Sequence, residues 1–349
     1  MIEAITCKTK WQELLSLAEN PDFYYTHSYH QVSKSTNEHP VLLNYTNGNS
    51  SVLLPLLIRD IENTGLKDAT SVYGYAGPLT INLDSNFDQE KFGKELDAFF
   101  NEHNIVSVFS RLHPYLEHQE TILEGLGHVN TLGKVVNIDL TDTIVDQRAK
   151  FNRRLKTYLN KSRKSCTVIK GNIEEHLDDF IRLYHQNMNR VNAGDDYYFS
   201  KDYYKSILTS DEYESELSLC VCNETKEIIA ASMFMKKGKI VQYHLSGLSE
   251  AHFKLNPIKL IIDEMRIKVT NEGYTYFNLG GGLGSREDSL FRFKSGFSKD
   301  FREFKIWKYI VDEEVYRELN STMLNGQING NTSDYFPLYR LKNKMTLLS

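Results

Sequence analysis

Hydrophobic positions along the chain repeat with two periods, one typical of helices and one typical of strands. Apolar residues spaced by three and four positions fill Ile173–Asn189, which predicts a helix with one buried face and Asn172 as its N-cap. Apolar runs bounded by turn residues, such as Ser51–Arg59 and Glu227–Lys236, predict strands. Between two such runs, Asn47-Gly48-Asn49 predicts a hairpin turn.

The same order of elements is predicted twice. The first half contains helices Lys10–Glu19, His27–Lys34, Phe87–Glu102 and a short one near Tyr115–Leu123, and strands Pro40–Tyr45, Ser51–Arg59, Ser71–Tyr75, Ile105–Ser110 and Lys134–Leu140. The second half contains helices Asp146–Ser165, Ile173–Asn189 and Pro257–Asn271, and strands Glu216–Cys222, Glu227–Lys236, Lys239–Ser246, Tyr274–Leu279 and Arg302–Val311. We therefore predict a duplicated α+β fold with domains 1–143 and 144–349, each a mixed, mostly antiparallel sheet flanked by helices, and a C-terminal tail from about residue 321.

Composition narrows the class of protein. Of the 349 residues, 40% are hydrophobic and 25% are charged, which is typical of globular domains. The net charge of −5 argues against a protein that coats DNA. The longest apolar runs are too short to cross a bilayer, so we expect a cytoplasmic protein without a transmembrane segment. The four cysteines lack the spacing of metal ligands, and we predict no metal site.

The most unusual stretch is Phe277–Ser298, which reads FNLGGGLGSREDSLFRFKSGFS. Its glycines, Gly280–Gly282, end a predicted strand and allow the backbone to approach a ligand closely or to adopt positive φ angles. Lys294 follows Phe293 in an apolar run, where a lysine is well placed to stabilise a developing oxyanion. The alternatives are a flexible turn and a solvated surface lysine.

Positive charge is concentrated in Arg148–Lys164, which carries eight basic residues and no acidic one. In a chain that is acidic overall, such a patch suits phosphate groups, whether of a nucleotide pyrophosphate, a lipid pyrophosphate or an RNA backbone. An ordinary solvated helix surface is the alternative. Arg190, at the end of a predicted helix, is either a ligand-binding residue or a cation that the helix C-terminus favours.

Two aromatic segments supply further candidates. Strict alternation along a predicted strand places Tyr243 and Leu245 on one face and His244 and Ser246 on the other. Tyr73–Pro78, which reads YGYAGP, ends a strand of the first half and either lines a substrate cleft or forms a rigid turn.

Four segments together carry a family resemblance: FNLGGG and EDSLFRFKSGFS within Tyr274–Ser298, YGYAGP at Tyr73–Pro78, the basic helix near Arg153–Lys164, and LYHQNMNR at Leu183–Arg190. They resemble the Fem-type (FemAB-like) peptidyltransferases, tandem acyltransferases with the acetyltransferase (GNAT-like) fold that are best known for attaching amino acids to peptidoglycan precursors. The resemblance covers most of the chain in order. It implies two tandem GNAT-like domains, of which the C-terminal one is catalytic.

In that family an acceptor amine attacks the carbonyl of an aminoacyl-tRNA, and a lysine after a phenylalanine is implicated in stabilising the tetrahedral intermediate. The resemblance assigns this part to Phe293 and Lys294, the grip on an acceptor pyrophosphate to Arg190, and an active-site tyrosine to Tyr243. Combined with the residue patterns, it predicts a site of catalytic Lys294, Phe293 and Tyr243 and of substrate-binding Arg190, Gly280, Gly281, Gly282, Arg292, Tyr73 and Tyr75.

The function expected from these observations is N-acyl transfer. The donor, a co-substrate rather than a bound cofactor, is either an aminoacyl-tRNA or an acyl-CoA, although Gly247–Asn256 lacks a recognisable CoA pyrophosphate loop. The acceptor is an amine of a cell-envelope or other phosphate-bearing precursor, which leaves open a location at the inner membrane. The alternative is a non-catalytic module that binds RNA or polysaccharide. The sequence leaves the oligomeric state open.

Overall fold

The computed structural model describes residues 2–84, 86–323 and 335–341, which form two compact units. Unit 1 comprises the described residues of Met1–Leu132 and Phe304–Ser349, and unit 2 is Gly133–Glu303. The sequence predicts a single boundary between residues 143 and 144, whereas the structure divides the chain at two places. The chain leaves unit 1 within a strand at His128–Asp139 and returns to it within a strand at Asp300–Ile310.

Unit 1 holds a six-stranded sheet, one additional short strand and its helices. In chain order the elements are β1 (Ile2–Ile5), α1 (Lys8–Leu17), α2 (His27–Ser33), β2 (Glu38–Asn47), β3 (Ser50–Asp60), β4 (Lys67–Thr70), β5 (Leu79–Ile81), α3 (Gln89–Glu102), β6 (Ile105–Arg111) and α4 (Gln119–Ile122). The strand order is β1-β2-β3-β4-β6, closed by the C-terminal strand β13, and β5 pairs with β3. Strands β4 and β6 are parallel, and the other neighbours are antiparallel.

Unit 2 repeats this arrangement. Its elements are β7 (His128–Asp139), α5 (Ile144–Ala149), α6 (Arg153–Ser165), β8 (Cys166–Lys170), α7 (Ile173–Arg190), α8 (Lys201–Leu208), β9 (Glu214–Cys222), β10 (Ile228–Lys237), β11 (Ile240–Leu248), α9 (Pro257–Asn271), β12 (Tyr276–Gly280) and α10 (Ser289–Lys294). The chain then returns to unit 1 through β13 (Asp300–Ile310) and ends its described α-helices there with α11 (Glu313–Met323). The strand order is β8-β9-β10-β11-β12-β7, with β11 and β12 parallel. The predicted duplicated α+β fold is confirmed.

Local sequence explains where several elements begin. Asn172 caps α7, because its side chain accepts from the backbone N of Glu174 at 2.9 Å. The two-residue turn between β2 and β3 follows Asn47, which pairs with Ser50, and Gly48 takes a φ of 60° there. Pro257 opens α9 as predicted, in the first position, where its missing N–H costs nothing.

Each unit has its own apolar core. In unit 1 it lies between the sheet and α3 and includes Phe92, Phe100 and Trp307, and in unit 2 it lies between the sheet, α6 and α9. Burying an aromatic ring of this kind contributes about 2–3 kcal/mol. The Trp307 indole N–H also donates to the backbone oxygen of Leu126, so its polar group is satisfied.

Three predicted elements differ from the structure. The strand predicted at Ser71–Tyr75 is wrong: β4 ends at Thr70, and Gly74 takes a φ of 135° in the loop that follows. The single helix predicted at Asp146–Ser165 is two helices, because the Asn152 side chain caps α6 by accepting from Leu155 N. The predicted tail begins inside a helix, since residues 321–323 belong to α11, and the rest of that predicted loop, up to residue 333, lies outside the described residues.

Candidate active site

In unit 2 the parallel strands β11 and β12 part at their C-terminal ends. Their register runs from Ile240 opposite Tyr276 to Gln242 opposite Asn278, and it ends there although β11 continues to Leu248. Beyond this point β11 pairs with β10 and β12 pairs with β7. The carboxyl ends of parallel strands are a common position for a ligand site. The residues that follow Gln242 and Asn278 are therefore the candidates for a ligand site.

Tyr243 is the first residue of β11 beyond that pairing. The register with β10 shifts by one residue between Tyr243 and Leu245, so His244 is the extra residue of a β-bulge. The Tyr243 hydroxyl hydrogen-bonds to the hydroxyl of Ser246, so these two side chains share a face. The alternation predicted from the sequence is wrong here because the bulge interrupts it. Burial raises the pKa of Tyr243 to about 12 and lowers that of His244 to about 4.

Lys294 lies at the end of α10, whose N-cap is Asp288. Its side chain is buried, with 8% of the residue exposed, and Nζ donates to the backbone oxygen of Gly281 at 2.7 Å. Burial lowers the pKa of Lys294 to about 8, opposed in part by the negative charge of Asp288. Among the residues that the structure describes, no carboxylate forms an ion pair with Lys294. A buried cation therefore contacts the backbone of Gly281, the residue that follows β12.

Gly280, the last residue of β12, and the two glycines after it are required by the fold of their own loop. Gly280 takes a φ of 76°, and its N–H donates to the Asn278 side chain at 2.8 Å. A Cβ on Gly281 would lie 2.8 Å from the backbone oxygen of Lys134, and one on Gly282 would lie 2.0 Å from the backbone oxygen of Arg286. The loop thus folds tightly enough to present the Gly281 carbonyl to Lys294. Close approach of a ligand to these glycines stays a prediction.

Arg292 and Phe293, which precede Lys294 in α10, differ in exposure and in their contacts. Arg292 is exposed and donates to the backbone oxygen of Glu287 at 3.2 Å. The Phe293 ring is half-buried and lies 5.2 Å from Nζ of Lys259, which is also 5.1 Å from the ring of Tyr158. Burial lowers the pKa of Lys259. The sequence analysis missed Lys259, although its place two residues after the helix-starting Pro257 was a usable signal.

Arg190 ends α7 on an exposed surface. It donates to the Asn187 side chain at 2.8 Å, and its guanidinium lies 5.8 Å from the ring centre of Phe253. Helix α7 packs closely on β11, because a Cβ on Gly247 would lie 2.3 Å from the backbone of Leu183. The described contacts include no ion pair between Arg190 and a carboxylate. They also include no contact that joins Arg190 to Lys294, so its predicted role stays a prediction.

The basic segment divides into paired and unpaired cations. Arg148 and Arg163 reach the buried carboxylate of Asp263 at 3.5 and 2.6 Å, and Lys150 pairs with Asp142. These three cations are structural. The other basic residues, on α6, form no described ion pair; they are Arg153, Arg154, Lys156, Lys161 and Lys164. We name these five the α6 cation stripe, because helical spacing places them along one side of α6, away from the buried Leu155 and Leu159.

The predicted site residues Tyr73 and Tyr75 belong to unit 1, whereas the others belong to unit 2. Tyr73 is 66% exposed, and its backbone oxygen accepts from the hydroxyl of Tyr29 at 2.9 Å. Tyr75 packs edge-on against Tyr24 and Phe304, at ring distances of 5.6 and 5.4 Å. Tyr75 therefore supports the aromatic core of unit 1, and Tyr73 stands at its surface.

Comparison with known proteins identifies the fold of these strands and helices. The family description "Acetyltransferase (GNAT) domain" matches residues 146–295, a range that contains Tyr243, the glycine loop and Lys294. Unit 2 therefore has the GNAT fold. The paired parallel strands and the bulge described above lie within the matched range.

Solved structures extend the likeness over most of the chain. A crystal structure of FemX is similar with a TM-score of 0.70 and 12% identity, covering 90% of this chain and 99% of that one. A conserved protein of unknown function from Bacteroides thetaiotaomicron VPI-5482 gives a TM-score of 0.59 and 10% identity, over 89% and 100% of the two chains. A tandem GNAT protein from the clavulanic acid biosynthesis pathway gives 0.52 and 10%, over 89% and 99%. No curated protein matches the chain.

These similarities confirm the Fem-type tandem GNAT fold that the sequence predicts. They support an acyltransferase, and they leave the donor, the acceptor and the roles of single residues to be tested. In the described ranges, no group of three His, Cys, Asp or Glu side chains is placed to hold a metal ion. None of the described helices has the length and apolar character needed to span a bilayer.

Proposed function

We propose that the chain is an N-acyltransferase that moves an aminoacyl group from a charged tRNA to the amine of a phosphate-bearing precursor. The observation that carries the proposal is the buried ammonium of Lys294, held by the Gly281 carbonyl where β11 and β12 part. One N–H of the ammonium is used in this bond, and a lysine has two more. With a pKa of about 8, Lys294 is about 90% protonated at pH 7.

Acyl transfer needs a positive group at the position where the carbonyl oxygen becomes negative. As the acceptor nitrogen forms its bond to the carbonyl carbon, charge develops on that oxygen, and Lys294 donates to it. In a buried site this interaction is stronger than in water and needs little reorganisation. Acyl transfer completes when the carbon–oxygen bond to the tRNA ribose breaks and the proton lost by the amine reaches the ribose oxygen.

Tyr243 is proposed to carry that proton. Its pKa of about 12 keeps the hydroxyl protonated at neutral pH, and the hydroxyl is bonded to Ser246 at the same strand end. Tyr243 gives its proton to the leaving ribose oxygen and regains one from the attacking amine, so the step is balanced. His244, with a pKa of about 4, remains neutral and carries no charge in this site at pH 7.

Charge outside the catalytic centre supports the choice of substrates. The α6 cation stripe has no described carboxylate partner and suits an RNA backbone. The segment after β11 forms a 3₁₀ helix at Glu250–Leu255 and offers no glycine-rich loop for a CoA pyrophosphate. Arg190 and Lys259 are the cations proposed to meet the phosphate of the acceptor. A cytoplasmic protein that works at the inner face of the membrane on a cell-envelope precursor fits these substrates.

A label-transfer experiment tests the proposal. The purified protein is incubated with radiolabelled aminoacyl-tRNA or acetyl-CoA and a cell-envelope precursor fraction, and label in an amide product is measured. We expect transfer from aminoacyl-tRNA, and a loss of about 10²–10³-fold in turnover in Lys294→Met. The matched control is Lys299→Met, since Lys299 is an exposed lysine of the same segment that lies near the Phe301 ring.

Each other outcome has a defined meaning. A thermal stability loss in Lys294→Met that accounts for its lost activity contradicts a catalytic role for the lysine. Transfer from acetyl-CoA alone contradicts the proposed donor. Transfer from neither donor, together with salt-dependent RNA binding, favours a non-catalytic binding module.

A further inference from the structure

Arg111, the last residue of β6 in unit 1, is a cation for which none of the described residues supplies a counter-charge. Its guanidinium carbon lies 5.1 Å from the ring centre of Phe109 and 5.3 Å from that of Tyr73. The residue is only partly exposed. Within the described ranges, its side chain forms no hydrogen bond and no ion pair. The five N–H groups of this partly desolvated guanidinium therefore have no acceptor in the part of the chain that the structure describes.

Arg59, a nearby cation in unit 1, differs from Arg111 because it has a carboxylate partner. Arg59 donates to the buried carboxylate of Asp68 at 2.6 Å, and Arg340 shares the same carboxylate. The Tyr339 hydroxyl donates to the same carboxylate at 3.1 Å, so Asp68 serves three donors, and Arg111 is not one of them. Burial lowers the pKa of Arg111, and the positive charge of Arg59 acts in the same direction. Removing a cation from water without a partner is costly, so such a position suits an anionic ligand.

We propose that unit 1 contains a second binding site, in which Arg111 takes the carboxylate of a small organic acid and Tyr73 packs against the acid's apolar body. A guanidinium binds a carboxylate through two parallel hydrogen bonds. One unpaired guanidinium balances one negative charge, which favours a carboxylate over a doubly charged phosphate monoester. The two aromatic rings near the guanidinium suit an apolar or planar body.

The site is held in place before any ligand arrives. The backbone N of Ser71 donates to the oxygen of Phe109, and the backbone N of Ala76 donates to the oxygen of Arg111, both at 2.9 Å. These bonds fix the loop that carries Tyr73 alongside β6. Because the loop is already ordered, binding does not have to order it. The site uses neither Lys294 nor any other residue of the proposed acyl transfer.

Ligand-observed ¹⁹F NMR with the full chain tests the proposal. The probe is 4-fluorophenylacetate, the uncharged control is 4-fluorophenylacetamide, and inorganic phosphate is the competitor. We expect the acid to bind with a Kd of about 1 mM or tighter, as suits a ligand of about ten non-hydrogen atoms. The amide should bind at least tenfold more weakly, and phosphate should not displace the acid.

Substitutions of Arg111 and Tyr73 test whether the acid binds at these two residues. Arg111→Met should weaken binding of the acid at least tenfold, whereas Arg154→Met, which removes an exposed arginine of α6, should leave it unchanged. Tyr73→Leu should weaken it severalfold, and because Tyr73 is 66% exposed we expect this variant to keep the fold. The proposal is overturned if the wild-type protein does not bind the acid, if acid and amide bind equally, if phosphate displaces the acid, or if Arg111→Met binds the acid like wild type.

Discussion

The two units contain the same parallel strand pair, but its C-terminal end is closed in unit 1 and open in unit 2. In unit 1 the chain after β4 stays beside β6, because Ser71 and Ala76 continue the backbone hydrogen bonding with that strand. In unit 2, β11 and β12 part after Gln242 and Asn278, and the glycine loop leads away into α10. The same strand order thus occurs with two different arrangements at the C-terminal ends of the parallel strands.

Each of these ends holds one cation that no described carboxylate neutralises, and the two cations differ in chemistry. Lys294 in unit 2 has a pKa of about 8, so its charge depends on pH in the physiological range. Arg111 in unit 1 remains charged at every such pH. A cation at an open strand end suits a charge that appears during a reaction. A permanent cation at a closed end suits recognition of a fixed anion.

The largest effect is expected on stability, from adding a methyl group to the tightly folded glycine loop of unit 2. Gly282→Ala should lower the free energy of unfolding by about 1–3 kcal/mol, because the new Cβ would lie 2.0 Å from the backbone oxygen of Arg286. Gly194→Ala is the control, since Gly194 has a φ of −66° and an added Cβ there would meet no atom within 4 Å. Urea unfolding of both variants measures the difference. Equal stability of the two variants would contradict a requirement of the loop for glycine at position 282.

A smaller, roughly tenfold effect is expected from pH. Activity of the wild type relative to Lys294→Arg should fall about tenfold between pH 7 and pH 9, because Lys294 loses its proton near pH 8 while arginine does not. The ratio removes the ionisation of the acceptor amine, which both enzymes share. Binding of the carboxylate probe to unit 1 should stay constant over the same range, because Arg111 does not titrate there.

The same pKa also predicts a change in stability, which applies even if Lys294→Arg is inactive. Between about pH 8 and 10.5 the folded protein has lost the Lys294 proton and the unfolded chain still holds it. Stability contributed by this group therefore rises with pH across that window. Lys294→Met should abolish the rise. A rise of the same size in the variant would contradict the lowered pKa.

Local patterns were sufficient to predict most of both sheets. The hairpins, the crossover helix α9 and the strands on either side of it follow from turn residues and apolar runs, so their prediction needed no distant contact. Strands β1, β5 and β8 were missed, because β5 has only three residues and in β1 and β8, which are also short, only one residue is buried. Helices α8 and α11 were missed as well. The domain boundary depends on β13 pairing with β6, almost 200 residues away, which no local signal carries.

The sequence predicted part of the candidate site, namely the residues that belong to a local motif. Lys294 and Phe293 stand in a motif, so sequence reasoning found them, and the structure adds the burial that shifts the pKa. The bulge at His244 depends on the register with β10, and the sequence shows strict alternation instead. Arg111 carried no signal, because the Tyr73 ring beside it comes from a loop 38 positions earlier in the chain.

The smallest effect concerns the proposed RNA contact of unit 2. Lys161→Gln should reduce the slope of log affinity for tRNA against log salt by about one, and weaken binding severalfold at moderate salt, because one phosphate contact and its released counterion are lost. Filter binding at several salt concentrations measures both quantities. Lysine is replaced by a polar residue on an exposed face of α6, so the fold should not change.

The matched comparison is Lys150→Gln, in the same basic segment. Lys150 is engaged by Asp142, so its charge is already neutralised and it should contribute little to the slope. Equal slopes for Lys161→Gln and Lys150→Gln would mean that the patch attracts RNA through its total charge alone. A smaller slope for Lys161→Gln alone would mean that the unpaired cations of α6 contact phosphate, and that ion pairing within unit 2 selects which of its eight basic residues are left to bind RNA.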